Sequence, residues 1–105
     1  MPLRHIVFFK IKPEYQSEIP VLIEGFYTMK GRIDGLLDLE AGADILRSER
    51  SQDIALVCTF RDRAAFDAYQ EHPMHLPVKK RMHEARETSY ACDYMIDFGG
   101  EDESI

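Results

Sequence analysis

The side chains best suited to acid–base chemistry lie in one short segment near the end of the chain. Residues 68–75 (AYQEHPMH) carry Tyr69, His72 and His75, and Asp93 follows in a later apolar run. Histidine can remove a proton near neutral pH, a carboxylate can fix its tautomer, and a phenol can donate to a developing oxyanion. These residue types are able to support removal of a proton next to a carbonyl group.

The same residues also have interpretations without chemistry. A hydrogen bond between His75 and Asp93 would join a helix to the last strand as a purely structural contact. Tyr69 is also typical of a packed core, and His5, in an apolar segment, is typical of a buried histidine with a satisfied hydrogen bond.

A metal site would require His5 to converge on His72 and His75, which are three residues apart. Pro73 disrupts the helical register between them, and no acidic residue or cysteine has ligand spacing. We therefore expect no metal and no cofactor, with His72 in a structural or surface position and His83 at the surface.

Length and composition indicate one globular domain. The chain has 105 residues, of which 45% are hydrophobic and 30% charged. We expect the domain to cover residues 1–98 and the acidic residues 99–105 to form a tail that packs little. No apolar run is long enough to span a membrane and no signal peptide is visible, so the expected location is cytoplasmic.

The charge balance disfavours nucleic acid as a partner. The formal net charge is −6, and the basic residues cluster once, at residues 79–81 (KKR). Phosphate backbones reward clustered Lys and Arg, and this single run is typical of a solvated helix face. Cys58 and Cys92 are expected to be reduced, because they lie in strand-like runs without a CxxC pattern.

The elements that position these residues follow from hydrophobic periodicity. Strands are predicted at residues 3–11, 36–44, 53–60 and 88–98, and helices at 17–31, 63–71 and 75–84. Ser17 is the expected N-cap of the first helix, and Leu37, Leu39 and Ala41 are expected on one face of the second strand. The order β-α-β-β-α-β predicts an α+β, ferredoxin-like fold: a four-stranded antiparallel sheet with its helices on one face.

The first strand is apolar on both faces, which predicts a partner. Its alternation places His5, Val7 and Phe9 on one face and Ile6 and Phe8 on the other. Helices cover one face of such a sheet, and leaving large apolar side chains in water forfeits roughly 1.5–3 kcal/mol each. We therefore expect a homodimer in which one face of the sheet packs against a second copy; if His5 lies on the helix side, Ile6 and Phe8 face that second copy.

Several segments together resemble the stress-responsive dimeric α/β-barrel family (Dabb). They are RHIVFFKIKP at residues 4–13, EAGAD at 40–44, AYQEHPMH at 68–75 and CDY at 92–94, and the likeness spans nearly all of residues 3–98. The resemblance implies a ferredoxin-like fold, a homodimer and a cavity between sheet and helices. Most members of this family have no assigned reaction.

One plant branch of the family comprises polyketide (olivetolic acid) cyclases, which close an aromatic ring by aldol condensation without a cofactor. Another branch comprises stress-stable proteins. By similarity to the cyclase branch, His75 matches the general base, Tyr69 the partner phenol and Asp93 the carboxylate that orients the base. His5 matches a pocket histidine on the first strand.

Three functions are therefore open. The first is a cofactor-free lyase or cyclase acting on a small apolar or carbonyl compound, which predicts a closed apolar pocket with His75, Tyr69 and His5 pointing inward. The second is a stress-associated or ligand-binding dimer without chemistry, which predicts a filled or very small cavity. The third is a cofactor-free monooxygenase of the same fold, for which the sequence offers no specific residue.

Overall fold

A computed structural model describes residues 1–97, and the predicted tail at 99–105 lies outside the described residues. The described chain forms the predicted ferredoxin-like α+β fold, with strand order β2-β3-β1-β4 and every neighbouring pair antiparallel. The elements are β1 (Leu3–Ile11), α1 (Ile19–Tyr27), β2 (Leu36–Ala43), β3 (Ile54–Phe60), α2 (Arg63–Gln70), α3 (Leu76–Ala85) and β4 (Arg86–Met95). None of the helices in this part of the chain is long and apolar enough to cross a membrane.

The first helix begins later than the sequence predicts. A 3₁₀ helix occupies Pro13–Glu18, and α1 begins at Ile19. The predicted N-cap at Ser17 is wrong, because the chain there is still in the 3₁₀ helix. Glu18 takes the N-cap position without a side-chain hydrogen bond, and Pro20 lies in the first turn, where a missing N–H is tolerated.

The second strand contains a bulge that changes which side chains it buries. The pairing with β3 shifts between Leu36 and Asp38, so Leu37 is the extra residue and is 60% exposed. The prediction that Leu37 shares a face with Leu39 and Ala41 is therefore wrong. Leu36 and Leu39 are the residues of β2 that are buried under the helices.

The two faces of β1 have the predicted orientation. Leu3, Val7 and Phe9 are buried in the core that the helices cover. Ile6 and Phe8 lie on the opposite face, where no helix packs, and Phe8 is 43% exposed. We call this uncovered surface the open face of the sheet. The antiparallel register gives Tyr90 and Tyr94 of β4 the same face, since they pair with Phe8 and Arg4.

A buried carboxylate joins the loop before β3 to the end of β1. Asp53 accepts hydrogen bonds from the Ile11 backbone N–H at 2.7 Å and the Gln16 side-chain amide at 3.2 Å, and the Arg47 guanidinium lies 2.8 Å away. Burial alone raises the pKa of Asp53, but these hydrogen bonds and the Arg47 charge outweigh it, and the net pKa lies below the usual value.

Candidate active site

His75 and Tyr69 lie together at the junction between α2 and α3. Tyr69 is in the last turn of α2, and His75 is the N-cap residue of α3. The two rings stack with centroids 3.9 Å apart and planes inclined by 18°, and both residues are buried. A fully exposed His75 would have excluded a catalytic role, and His75 is buried.

One hydrogen bond determines which nitrogen of His75 can act as a base. The ring Nδ1 lies 3.0 Å from the backbone carbonyl oxygen of Tyr69. A carbonyl oxygen only accepts, so Nδ1 carries the proton and the neutral ring has its free lone pair on Nε2. Burial lowers the pKa of His75 below 6.5, and the nearby Lys79 charge also lowers it. The ring is therefore neutral at pH 7, with Nε2 available as a base.

Asp93 is bonded to a different histidine from the one predicted. His5 and Asp93 are directly opposite in the β1–β4 register, and the His5 Nδ1 makes a hydrogen bond with the Asp93 carboxylate. The predicted pairing of Asp93 with His75 is wrong, because the Nδ1 of His75 is already bonded to the Tyr69 carbonyl. Asp93 can thus fix the tautomer of His5, and His75 is oriented by the backbone.

The Tyr69 ring is a neighbour of both histidines. The His5 ring meets the Tyr69 ring edge-on, with centroids 6.3 Å apart, while His75 stacks on it. Burial raises the pKa of the Tyr69 phenol, so the hydroxyl stays protonated at neutral pH. Among residues 1–97 no group hydrogen-bonds to this hydroxyl, so it is available as a donor to a bound molecule.

These residues surround one cavity of about 240 Å³ between the sheet and the helices. Its apolar wall is formed by Val7, Phe9, Phe26, Leu56 and Met82. Tyr69, His75 and His5 line it, and Asp93 contributes through its bond to His5. The structure therefore brings together the three side chains that sequence reasoning placed in a pocket.

The sequence interpretation missed the basic side chains of this cavity. Lys79 lines the cavity, although the run at 79–81 is typical of a solvated face. Its neighbours follow the solvated pattern: Lys80 is exposed and Arg81 bonds to Glu18. His83, predicted at the surface, is exposed and also lines the cavity. The available signal was the spacing of 75, 79 and 83, which places all three on one helix face.

The remaining histidine and the cysteines have no contact with this cavity. The His72 Nδ1 accepts a hydrogen bond from the Met74 backbone N–H at 3.0 Å, which closes the turn before α3. Cys58 is buried, and burial raises the pKa of its thiol to about 12, so it is not a nucleophile. Within residues 1–97 no cluster of three or more His, Cys, Asp or Glu side chains has metal-binding geometry.

A larger depression of about 580 Å³ lies on the open face of the sheet. Phe8, Ala55 and Val57 form part of it, together with the loop that precedes β3. Glu40 and Asp44 line it, but no histidine or tyrosine does, so the histidines and the tyrosine described above belong to the smaller cavity on the helix side.

Comparisons with known proteins agree on the fold. The sequence profile of the Dabb family, the stress responsive A/B barrel domain, matches residues 3–96. A dimeric ferredoxin-like protein of unknown function from Thermobifida fusca has 25% identity and a TM-score of 0.78, covering 91% of this chain and 92% of that one. No curated protein matches the chain.

Two further solved structures are similar. A dimeric ferredoxin-like protein of unknown function from Bacteroides fragilis has 24% identity and a TM-score of 0.79, covering 89% of this chain and 94% of that one. A hydroxynitrile lyase from Passiflora edulis has 22% identity and a TM-score of 0.80, covering 92% of this chain and 94% of its own. At these identities the likeness shows the fold.

Proposed function

The chain belongs to the Dabb family of stress responsive A/B barrel domains, and we propose that it is a cofactor-free, homodimeric enzyme that removes a proton next to a carbonyl group, in a lyase- or cyclase-type reaction. The observation that carries the proposal is the hydrogen bond from the His75 Nδ1 to the Tyr69 carbonyl. It leaves the Nε2 of a buried, neutral imidazole as the basic atom of a partly apolar cavity.

In the proposed reaction each side chain has a separate task. The Nε2 of His75 accepts the proton from the carbon next to the substrate carbonyl. The Tyr69 hydroxyl donates a hydrogen bond to the carbonyl oxygen as negative charge develops on it. When the His5 ring carries a proton on Nε2 as well as the Nδ1–H that is bonded to Asp93, it can give the Nε2 proton to a leaving group or a new alkoxide. A positioned base of this kind contributes about 10²–10⁴-fold to a rate.

The homodimer part of the proposal rests on the open face of the sheet. Phe8, Tyr90 and Tyr94 are 43%, 62% and 43% exposed there, which is a large amount of apolar and aromatic surface for one small face. The similar proteins from Thermobifida fusca and Bacteroides fragilis are described as dimeric. A second copy of the same sheet is the partner whose chemistry matches this face.

One structure with the same fold is named as an enzyme. The hydroxynitrile lyase from Passiflora edulis has the same fold, and its name describes a lyase that acts on a hydroxynitrile. For this chain the support comes from the cavity itself, which holds a neutral base, a protonated phenol and a second histidine.

Deuterium uptake tests the proposal without knowledge of the natural substrate. Acetophenone, 1-phenylpropan-2-one and 4-acetylbenzamide are incubated with the protein in D₂O, and loss of the proton signals next to the carbonyl is followed by NMR. We expect uptake above the buffer rate, and a fall of roughly 10²–10⁴-fold in His75→Gln.

The matched control is His72→Asn, because the asparagine side-chain oxygen can replace the His72 Nδ1 as acceptor for Met74. This variant should exchange at the wild-type rate. Equal uptake by wild type and His75→Gln would overturn the assignment of the base. Thermal stabilisation by these ketones without any uptake would indicate a ligand-binding dimer instead of an enzyme.

A further inference from the structure

The cavity has a basic side that the proposed reaction does not use. Lys79 and His83 follow His75 at intervals of four residues, so the three side chains form one stripe along α3. Arg86 begins β4 immediately after this helix. Lys79, His83 and Arg86 all line the cavity, and no acidic residue lines it.

Among the described residues 1–97, these three basic residues have no ionic partner, although the chain is acidic. It has 19 Asp and Glu residues against 13 Lys and Arg. In residues 1–97, neither Lys79, His83 nor Arg86 forms a salt bridge or a side-chain hydrogen bond. In an acidic chain, basic groups held around one apolar cavity are suited to an anion that arrives with the ligand.

The register of the sheet separates the basic side from the reacting groups. Along β4, Asp93 lies opposite His5 and Arg86 lies opposite Ile11, at the far end of β1. Along α3 the basic residues also lie away from the reacting groups. A rise of 1.5 Å per residue places Lys79 about 6 Å and His83 about 12 Å beyond His75 along the helix axis. The cavity therefore runs from a proton-transfer end to a basic end, with apolar side chains between them.

We propose that the cavity takes a carbonyl compound whose far end carries a carboxylate, held by Lys79 and Arg86 with His83 at the rim. The identity of the reacting carbonyl rests on the proposed function, whereas the anion site rests on the charges alone. A cavity of about 150 Å³ holds benzene, so the present 240 Å³ is sufficient for one ring with a short substituent at each end. The carbons of a ketone and a carboxylate across one ring are about 6 Å apart, which is similar to the rise of the helix between His75 and Lys79.

Binding of two matched probes tests this proposal. The probes are 4-acetylbenzoate and 4-acetylbenzamide, which have the same shape and ketone but differ in charge, and their Kd values are measured by calorimetry. We expect the carboxylate to bind about tenfold more tightly, which is typical of one hydrogen bond between charged groups. Raising the ionic strength should weaken the binding of 4-acetylbenzoate and leave the binding of 4-acetylbenzamide unchanged.

Variants locate the anion site. Lys79→Met and Arg86→Met should each raise the Kd of 4-acetylbenzoate about tenfold. Each should change the Kd of 4-acetylbenzamide less than about twofold. Lys80→Met is the matched control, because Lys80 is the adjacent exposed lysine and does not line the cavity. Circular dichroism and the melting temperature of each variant establish that the fold is retained.

The results separate this inference from the proposed function. Equal Kd values for the two probes overturn the anion site even if deuterium uptake is observed. Equal losses of affinity for 4-acetylbenzoate in Lys79→Met and Lys80→Met also overturn it. Binding that depends on the charge of the probe, and that Lys79→Met and Arg86→Met abolish, supports the anion site. If neither probe takes up deuterium in that case, the proton-abstraction proposal fails and the anion site stands.

Discussion

Replacing Phe8 by glutamate should separate the proposed dimer into protomers. Phe8 is 43% exposed in one protomer, and an aromatic side chain buries about 200 Å² when fully covered, so a second copy would cover roughly 90 Å² of each ring. At about 25 cal/mol per Å² this is ~2 kcal/mol per ring, and a two-fold interface contains two such rings. The loss of ~4 kcal/mol raises the dimer Kd about a thousandfold, and two buried carboxylates add to it.

Sedimentation velocity over a dilution series measures this change directly. The control is Val21→Glu, which introduces the same charge at a residue of α1 that is 57% exposed on the helix layer, away from the open face. We expect wild type and Val21→Glu to sediment as dimers at concentrations where Phe8→Glu is monomeric. A dimer that survives in Phe8→Glu, or dissociates equally in Val21→Glu, would refute the assignment of the open face.

Three further variants probe the backbone, the buried carboxylate and the second histidine. Gly35→Ala should lower the free energy of unfolding by at least ~2 kcal/mol in urea titrations, because its φ of +83° disfavours a side chain and an added Cβ would lie 2.5 Å from the Ala65 Cβ. Gly31→Ala, also at positive φ but with nothing within 4 Å, should cost only about 1 kcal/mol. The folded-state pKa of Asp53 lies below 3.8, so its contribution to stability is present above that pH and is lost as the pH falls through the folded value. The stability difference between wild type and Asp53→Asn should therefore shrink on acidification, and a constant difference would contradict the ion pairing. Asp93→Asn should keep the melting temperature within a few degrees and change deuterium uptake by simple ketones less than about twofold, because His5 acts on a leaving group or a new alkoxide and the exchange step forms neither. A loss of about tenfold or more would place His5 in the proton abstraction itself.

The fold was predictable because its main signals are local. The alternation of β1 between His5, Val7 and Phe9 on one face and Ile6 and Phe8 on the other is a period-two pattern. It separates the two faces of the strand without knowledge of any other strand, and the pocket position expected for His5 then indicates which face lies under the helices. The bulge at Leu37 could not be predicted in this way, because an extra residue is defined only by its pairing with β3.

The candidate site was only partly predictable, because its hydrogen bonds depend on contacts between distant segments. His5 and Asp93 are 88 residues apart in the chain, and their bond follows from the β1–β4 register, which no local pattern reveals. The carbonyl that orients His75 is a backbone group of Tyr69, six residues earlier, and backbone acceptors leave no signature in residue type. The position of Lys79 in the cavity was not predicted, because the charged run at residues 79–81 indicates a solvated helix face.

The pH dependence of deuterium uptake tests the central claim, that neutral His75 is the base. Burial and the Lys79 charge lower the pKa of His75 from 6.5, so the deprotonated, active form predominates above a midpoint that lies below 6.5. We predict that kcat/KM for proton exchange rises with pH through that midpoint and reaches a plateau near neutrality. The same rise should be absent from the pH profile of His75→Gln. A midpoint above 6.5, or the same pH step in His75→Gln, would contradict the account.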